Sequence, residues 1–124
     1  MIYLASPHSD PDAGVMLSRF LCACKVAAWM FKQGELVFSP IAHSHYIAVY
    51  GNNKAHYDDW RRFDEHMIDL SDKIVVAQID GWDKSFGISE EIKYAEKIGK
   101  PVEYLDVTHI LLNPKLRGWQ DAKI

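Results

Sequence analysis

The sequence predicts an α/β domain built on an open, mostly parallel sheet of four or five strands, with helices on both faces. Three observations carry this. Short apolar runs alternate along the chain with longer segments of helical period. One run, Ile74-Val75-Val76-Ala77, is continuously apolar, as suits a strand covered on both faces. Clusters of turn formers separate the two kinds of segment.

The elements follow in order. Met1 to Ala5 reads as a buried strand, stopped by Ser6-Pro7-His8-Ser9-Asp10-Pro11. Gly14 to Gln33 reads as a long helix whose apolar set Leu17, Leu21, Cys24, Ala28 and Phe31 recurs every three or four residues, with Gly34 as its stop. Leu36 to Phe38 is a second strand, closed by Ser39-Pro40. Ile41 to Tyr50 is apolar but irregular, and Gly51-Asn52-Asn53 marks a loop. A helix is expected over Tyr57 to Leu70, with Trp60, Phe63, Met67 and Leu70 on one stripe. Lys73 to Ile79 is a strand and Asp80 to Gly87 a loop. A further helix spans Ile88 to Ile98, with Ile88, Ile92 and Ala95 inward. Gly99-Lys100-Pro101 ends it, and Val102 to Leu105 is the last strand. The tail, with Ile110-Leu111-Leu112 and Trp119, gives no clear period. The expected architecture is a flavodoxin/Rossmann-like three-layer sandwich over residues 1–124 as a single domain. In such folds ligands bind beyond the carboxyl ends of the strands. The loops there are Ser6 to Asp12, Ser39 to His45 and Asp80 to Gly87.

Composition narrows the function. The 124 residues suit one core, with 48% apolar and 25% charged residues and a formal net charge of −3. No block of basic residues is present, which argues against a nucleic-acid polymer as partner. A small anion remains open, because helix N-termini can bind one phosphate. Cys22 and Cys24, two apart on a helix, cannot pair with each other there and fit a reducing compartment. The N-terminus lacks the pattern of a signal peptide, and no apolar run approaches the roughly 18 residues that span a bilayer. A cytoplasmic location and no membrane partner are expected.

The densest chemistry lies in Ser85-Phe86-Gly87-Ile88-Ser89-Glu90-Glu91-Ile92. Acidic residues favour a first helical turn through the macrodipole, and Ser89 is a candidate cap. That alone accounts for a Glu here. A carboxylate reaching from a helix start into a ligand crevice is also a nucleophile for an electrophilic sugar carbon. Adjacent residues point about 100° apart on a helix, so Glu90 and Glu91 cannot both face the site. Glu91 flanks the inward stripe and is the candidate.

The pattern G-x-x-x-E-I-x-x-A, followed by a Lys-Pro-Val strand, resembles the nucleoside 2-deoxyribosyltransferase superfamily, which includes the deoxynucleoside-monophosphate N-glycosidases. The opening Ile2-Tyr3-Leu4-Ala5-Ser6-Pro7 is similar to the first strand and ligand loop of that superfamily. Phe63-Asp64 through Asp72-Lys73-Ile74-Val75-Val76 resembles its helix-to-strand segment. The resemblance spans about residues 1 to 105 and looks closest to uncharacterised bacterial and phage relatives. It implies Glu91 as the nucleophile at the anomeric carbon and Asp64 as its active-site partner. It implies Ser85, six before Glu91, at a position where the N-glycosidase branch has a phosphate-contacting Ser and the transferase branch tends to have Asp. Tyr3, Ser6 and Gly87 fall in matching segments and are expected to contact substrate; His8 and Asp10, in the first loop, are candidate sugar contacts, although loops are polar in any case. Two departures stand out. Gly81-Trp82-Asp83-Lys84 lengthens the loop before Ser85, and the first loop lacks the Arg and paired Gly of the N-glycosidase branch.

The resemblance therefore implies an N-glycosidase or deoxyribosyltransferase acting on a nucleoside or nucleoside 5′-monophosphate. It implies no cofactor, and a homodimer or homotetramer. Trp82, free of any helical partner, is a candidate stacking surface for the base, as are Trp60 and Tyr46; periodicity gives Trp60 a packing role instead. His43 and His45 are expected at the crevice rim. Two rival readings stand beside this one. The first is a nucleotide-binding or sensing module without turnover. The second is a metal-dependent enzyme on His43, His45 and His56, disfavoured because no third ligand has recognisable spacing; the expected metal set is none.

Overall fold

The computed structural model describes residues 1–51 and 57–116. Four parallel strands form one sheet: β1 (Ile2–Ala5), β2 (Val37–Phe38), β3 (Lys73–Ala77) and β4 (Val102–Leu105), in the order β2-β1-β3-β4. That is the doubly wound order in which the chain reverses beside β1, and it leaves a crevice at the carboxyl ends of β1 and β3. Helices α1 (Ala13–Lys32), α2 (Pro40–Tyr50), α3 (Tyr57–Asp69), α4 (Phe86–Lys97) and the single turn α5 (Thr108–Leu111) surround the sheet.

The pleat divides the core in two. Ile2, Leu4, Val75 and Ala77 pack with Val26 and Met30 of α1 and with Val107 and Ile110 around α5. Tyr3, Ala5, Ile74 and Val76 face the other way, against Ile68 of α3 and Ile88 and Ala95 of α4. Register fixes this division, with Leu4 opposite Val75 and Tyr3 opposite Ile74. A slip of one residue would exchange the two faces. Every residue of β1 is buried, as the central position in the sheet requires.

Several expectations need correction. The buried stripe of α1 is Ala23, Val26 and Met30, while Leu17, Leu21 and Phe31 are exposed. The helix is apolar nearly all round, so periodicity alone did not choose between faces. Val26 and Met30 of this stripe pack on Ile2, Leu4 and Val75 of the sheet. The same helix is, by length and composition, apolar enough to cross a bilayer, contrary to the expectation that no segment is. In this fold it packs on the sheet. The inward residues of α3 are Asp64 and Ile68, one turn apart; Phe63 and Leu70 lie outside. The stretch expected to be irregular is helix α2, with Ser39 as N-cap accepting from the Ala42 amide at 3.1 Å and Pro40 in its first turn. α4 begins at Phe86 rather than Ile88, because Ser85, not Ser89, caps it by accepting from the Ile88 amide at 3.2 Å.

Candidate active site

A cavity of about 500 Å³ opens at the carboxyl ends of β1 and β3. Ser6, His8, Ser9 and Asp10 line it from the loop after β1. Gly81, Lys84, Ser85, Phe86, Gly87 and Glu91 line it from the segment after β3. Arg19 of α1, Ile41 and Ser44 of α2, and Trp60 and Asp64 of α3 complete the wall.

Glu91 lies in the second turn of α4, on the same inward face as Ile88 and Ala95, and is 5% exposed. The macrodipole acts mainly on the first turn, so it does not account for an acid here. Glu90 sits to the side, paired with Lys93 at 3.3 Å. The pleat turns Tyr3 toward α4, and its hydroxyl donates a short hydrogen bond to Glu91 Oε2. Glu91 has no cation partner among the described residues. Burial pushes its carboxyl up to about 8; the Tyr3 hydrogen bond opposes this shift and the Asp64 charge adds to it. Asp64 is likewise buried, and loss of hydration raises it to about 7. Two buried carboxyls facing one cavity share protons near neutral pH, with Glu91 the more readily protonated of the two.

The loop after β1 is held from α1. Arg19 Nη1 donates to the Ser9 carbonyl at 3.0 Å and lies 3.9 Å from Asp10 Oδ2. Its guanidinium passes over Gly81, whose φ is +93° and whose added Cβ would meet Arg19 Nη2 at 2.5 Å. Gly81 is favoured by its backbone conformation, whereas the Arg19 guanidinium, at the end of a flexible side chain, can move aside for a Cβ. His8 Nε2 and His45 Nδ1 share a hydrogen bond of 2.8 Å, and Phe20 stacks on the His45 ring at 4.3 Å. Burial lowers His8 to about 4, aided by His45 and Arg19, so this pair is neutral in the physiological range.

Of the residues singled out from sequence, Glu91, Asp64, Ser6, His8, Ser85 and Gly87 line the cavity, and Tyr3 stands directly behind Glu91. His43, His45 and Trp82 do not line it. His43 is on the exposed side of α2, stacked on Phe63 at 5.1 Å. His45 backs His8. Trp82 packs against Tyr104 at 5.6 Å and against the core beneath α4. Tyr46 is exposed on α2, edge-on to Phe20. Because α2 is a helix, His43 and His45 point to different sides and share no ligand; His56 lies outside the described residues. No metal-binding cluster of three or more such groups occurs among the described residues. Sequence reasoning missed Arg19, Ile41 and Ser44, and gave Trp60 a packing role in preference to a place at the cavity. All four sit on helices, where a cavity-facing residue looks like any other residue of its stripe.

Residues 1–105, which supply every residue named at this cavity, match a domain of unknown function, DUF1937. The chain belongs to the DUF1937 family. No curated protein matches it. The family match ends at β4, so α5 lies beyond it although Val107 and Ile110 are buried in the core.

Proposed function

We propose that this DUF1937 chain cleaves or transfers the N-glycosidic bond of a nucleoside or nucleoside 5′-monophosphate, with Glu91 as nucleophile. The observation that carries the reading is the position of Glu91: buried, inward on α4, bonded by Tyr3 and next to a second buried carboxyl. The resemblance of Gly87-to-Ala95 to the nucleoside 2-deoxyribosyltransferase superfamily supports it.

The chemistry balances with these residues alone. The reactive form of the pair is the one in which Glu91 is ionised and Asp64 holds the shared proton: a Glu91 oxygen forms a bond to C1′ as the C1′–N bond breaks, and Asp64 gives that proton to the departing base nitrogen. Tyr3 holds the Glu91 carboxylate in place. Water, or an acceptor base, then attacks C1′ and releases Glu91. In either case Asp64 takes back a proton, from that water in hydrolysis or from the acceptor base nitrogen in transfer.

Incubation with a panel of nucleosides and 5′-monophosphates, with free base measured by chromatography, tests this. Wild type releases base from at least one of them. Glu91→Gln lowers the rate on the order of a thousandfold or more, the scale of losing a nucleophile. Full activity in Glu91→Gln, or tight binding of every ligand without product, removes the mechanism.

A further inference from the structure

Trp60 carries a detail that catalysis at Glu91 does not use. Its indole Nε1 is buried and has no hydrogen-bond partner, a state it shares among the described residues only with Ser6 Oγ. Buried donors are nearly always paired. A serine hydroxyl can donate or accept, but an indole N–H only donates. The Trp60 ring is also fixed in direction. It meets His43 edge-on at 6.3 Å and Phe63 edge-on at 6.1 Å, while His43 and Phe63 stack on each other with their planes 4° apart. Trp60 stands one helical turn before Asp64, so both face the cavity from α3. Ile41 and Phe86 add apolar surface to the same cavity, which suits a flat ring.

We infer that Trp60 is a specificity-determining residue: its indole N–H pairs with a hydrogen-bond acceptor, a keto oxygen or an unprotonated ring nitrogen, on the heterocycle bound in this cavity. The inference rests on the nucleoside or nucleotide reading. His43 and Phe63 act behind it as positioning residues.

The test is a nitrogen-15 NMR titration of the Glu91→Gln chain, which prevents turnover, with the four common 2′-deoxynucleoside 5′-monophosphates. The Trp60 indole resonance is identified by its loss in Trp60→Phe. On saturation with at least one nucleotide it moves downfield. Trp60→Phe weakens that nucleotide about fivefold, the scale of one neutral hydrogen bond. An analogue with phenyl in place of the base binds equally with and without the indole. If a nucleotide saturates the cavity while the Trp60 resonance stays in place and Trp60→Phe binds equally well, the inference is overturned and the nucleotide reading stands. If no nucleotide moves any resonance, the nucleotide reading falls and takes this inference with it.

Discussion

A carboxyl group withdrawn from water keeps its proton more readily than one in solvent, and Glu91 and Asp64 make stability depend on pH in a definite direction. Glu91 is raised to about 8 and Asp64 to about 7, chiefly by burial. Both lie above the roughly 4 of the unfolded chain. Between those limits the folded state binds more protons, so stability is greatest below the unfolded value and is lost as pH rises through the folded one. His8, lowered to about 4, and His45, also lowered, act oppositely: they add stability as pH rises to about 6.5. Above that point the carboxyl pair dominates. The melting temperature is therefore expected to fall from about pH 6.5 to about pH 8.5. Glu91→Gln flattens the fall and melts higher than wild type at the alkaline end. An equal fall in the variant would show that Glu91 ionises without cost. Glu91 and Asp64 were legible in the sequence because each belongs to a short motif at a helix-to-strand or loop-to-helix junction. Trp60 was legible only as one of two readings, and Arg19 was not legible. A Trp at helical spacing reads as packing, and nothing local reveals that Arg19 reaches back over its own N-terminal loop.

Among the elements, α4 determines how the cavity treats an anion. Its cap is Ser85, whose Oγ accepts from Ile88 and keeps its own proton for a ligand. Arg19 and Lys84 line the same cavity, and Ser6 Oγ, 4% exposed as a residue, is left without a partner. A helix N-terminus with two cations and a free hydroxyl suits a phosphate. Within the nucleotide reading, the 5′-monophosphate is expected to bind more tightly than the nucleoside. Ser85→Asp can still cap α4, but it places a negative charge against the phosphate. Calorimetry should show monophosphate affinity falling at least tenfold, about 1.4 kcal/mol, with nucleoside affinity little changed. Equal wild-type affinity for both ligands would dispose of the phosphate site. The elements also show where sequence patterns mislead. Ser39-Pro40 looked like a strand stop, yet Ser followed by Pro is equally an N-cap and first-turn pair, and it opens α2. Taking Ser89 rather than Ser85 as the cap shifted α4 by two residues. That shift gave Glu91 a dipole explanation that its second-turn position removes.

Across the whole molecule, the sheet needs cover on both faces, and α1 alone does not close one of them. Val107 and Ile110, 2% and 0% exposed, pack against Ile2, Leu4 and Val75 beside α1. The alternation of strands and helices made the doubly wound class and all four strands legible. The tail was not, because α5 is only four residues long and shows no full period. Its contribution is burial rather than periodicity. Ile110→Ala removes a fully buried side chain and is expected to cost about 2–5 kcal/mol, read as a lower urea midpoint with an unchanged slope. Ending the chain at residue 105, where the family match stops, removes Val107 and Ile110 together. It uncovers a face of the central strand β1, whose other face carries Tyr3 against Glu91. That shortened chain is expected to lose cooperative unfolding and, within the nucleotide reading, ligand binding at the cavity. Should residues 1–105 unfold with the wild-type midpoint, the β1 face would have to be closed by α1 alone, and α5 would be dispensable to the core.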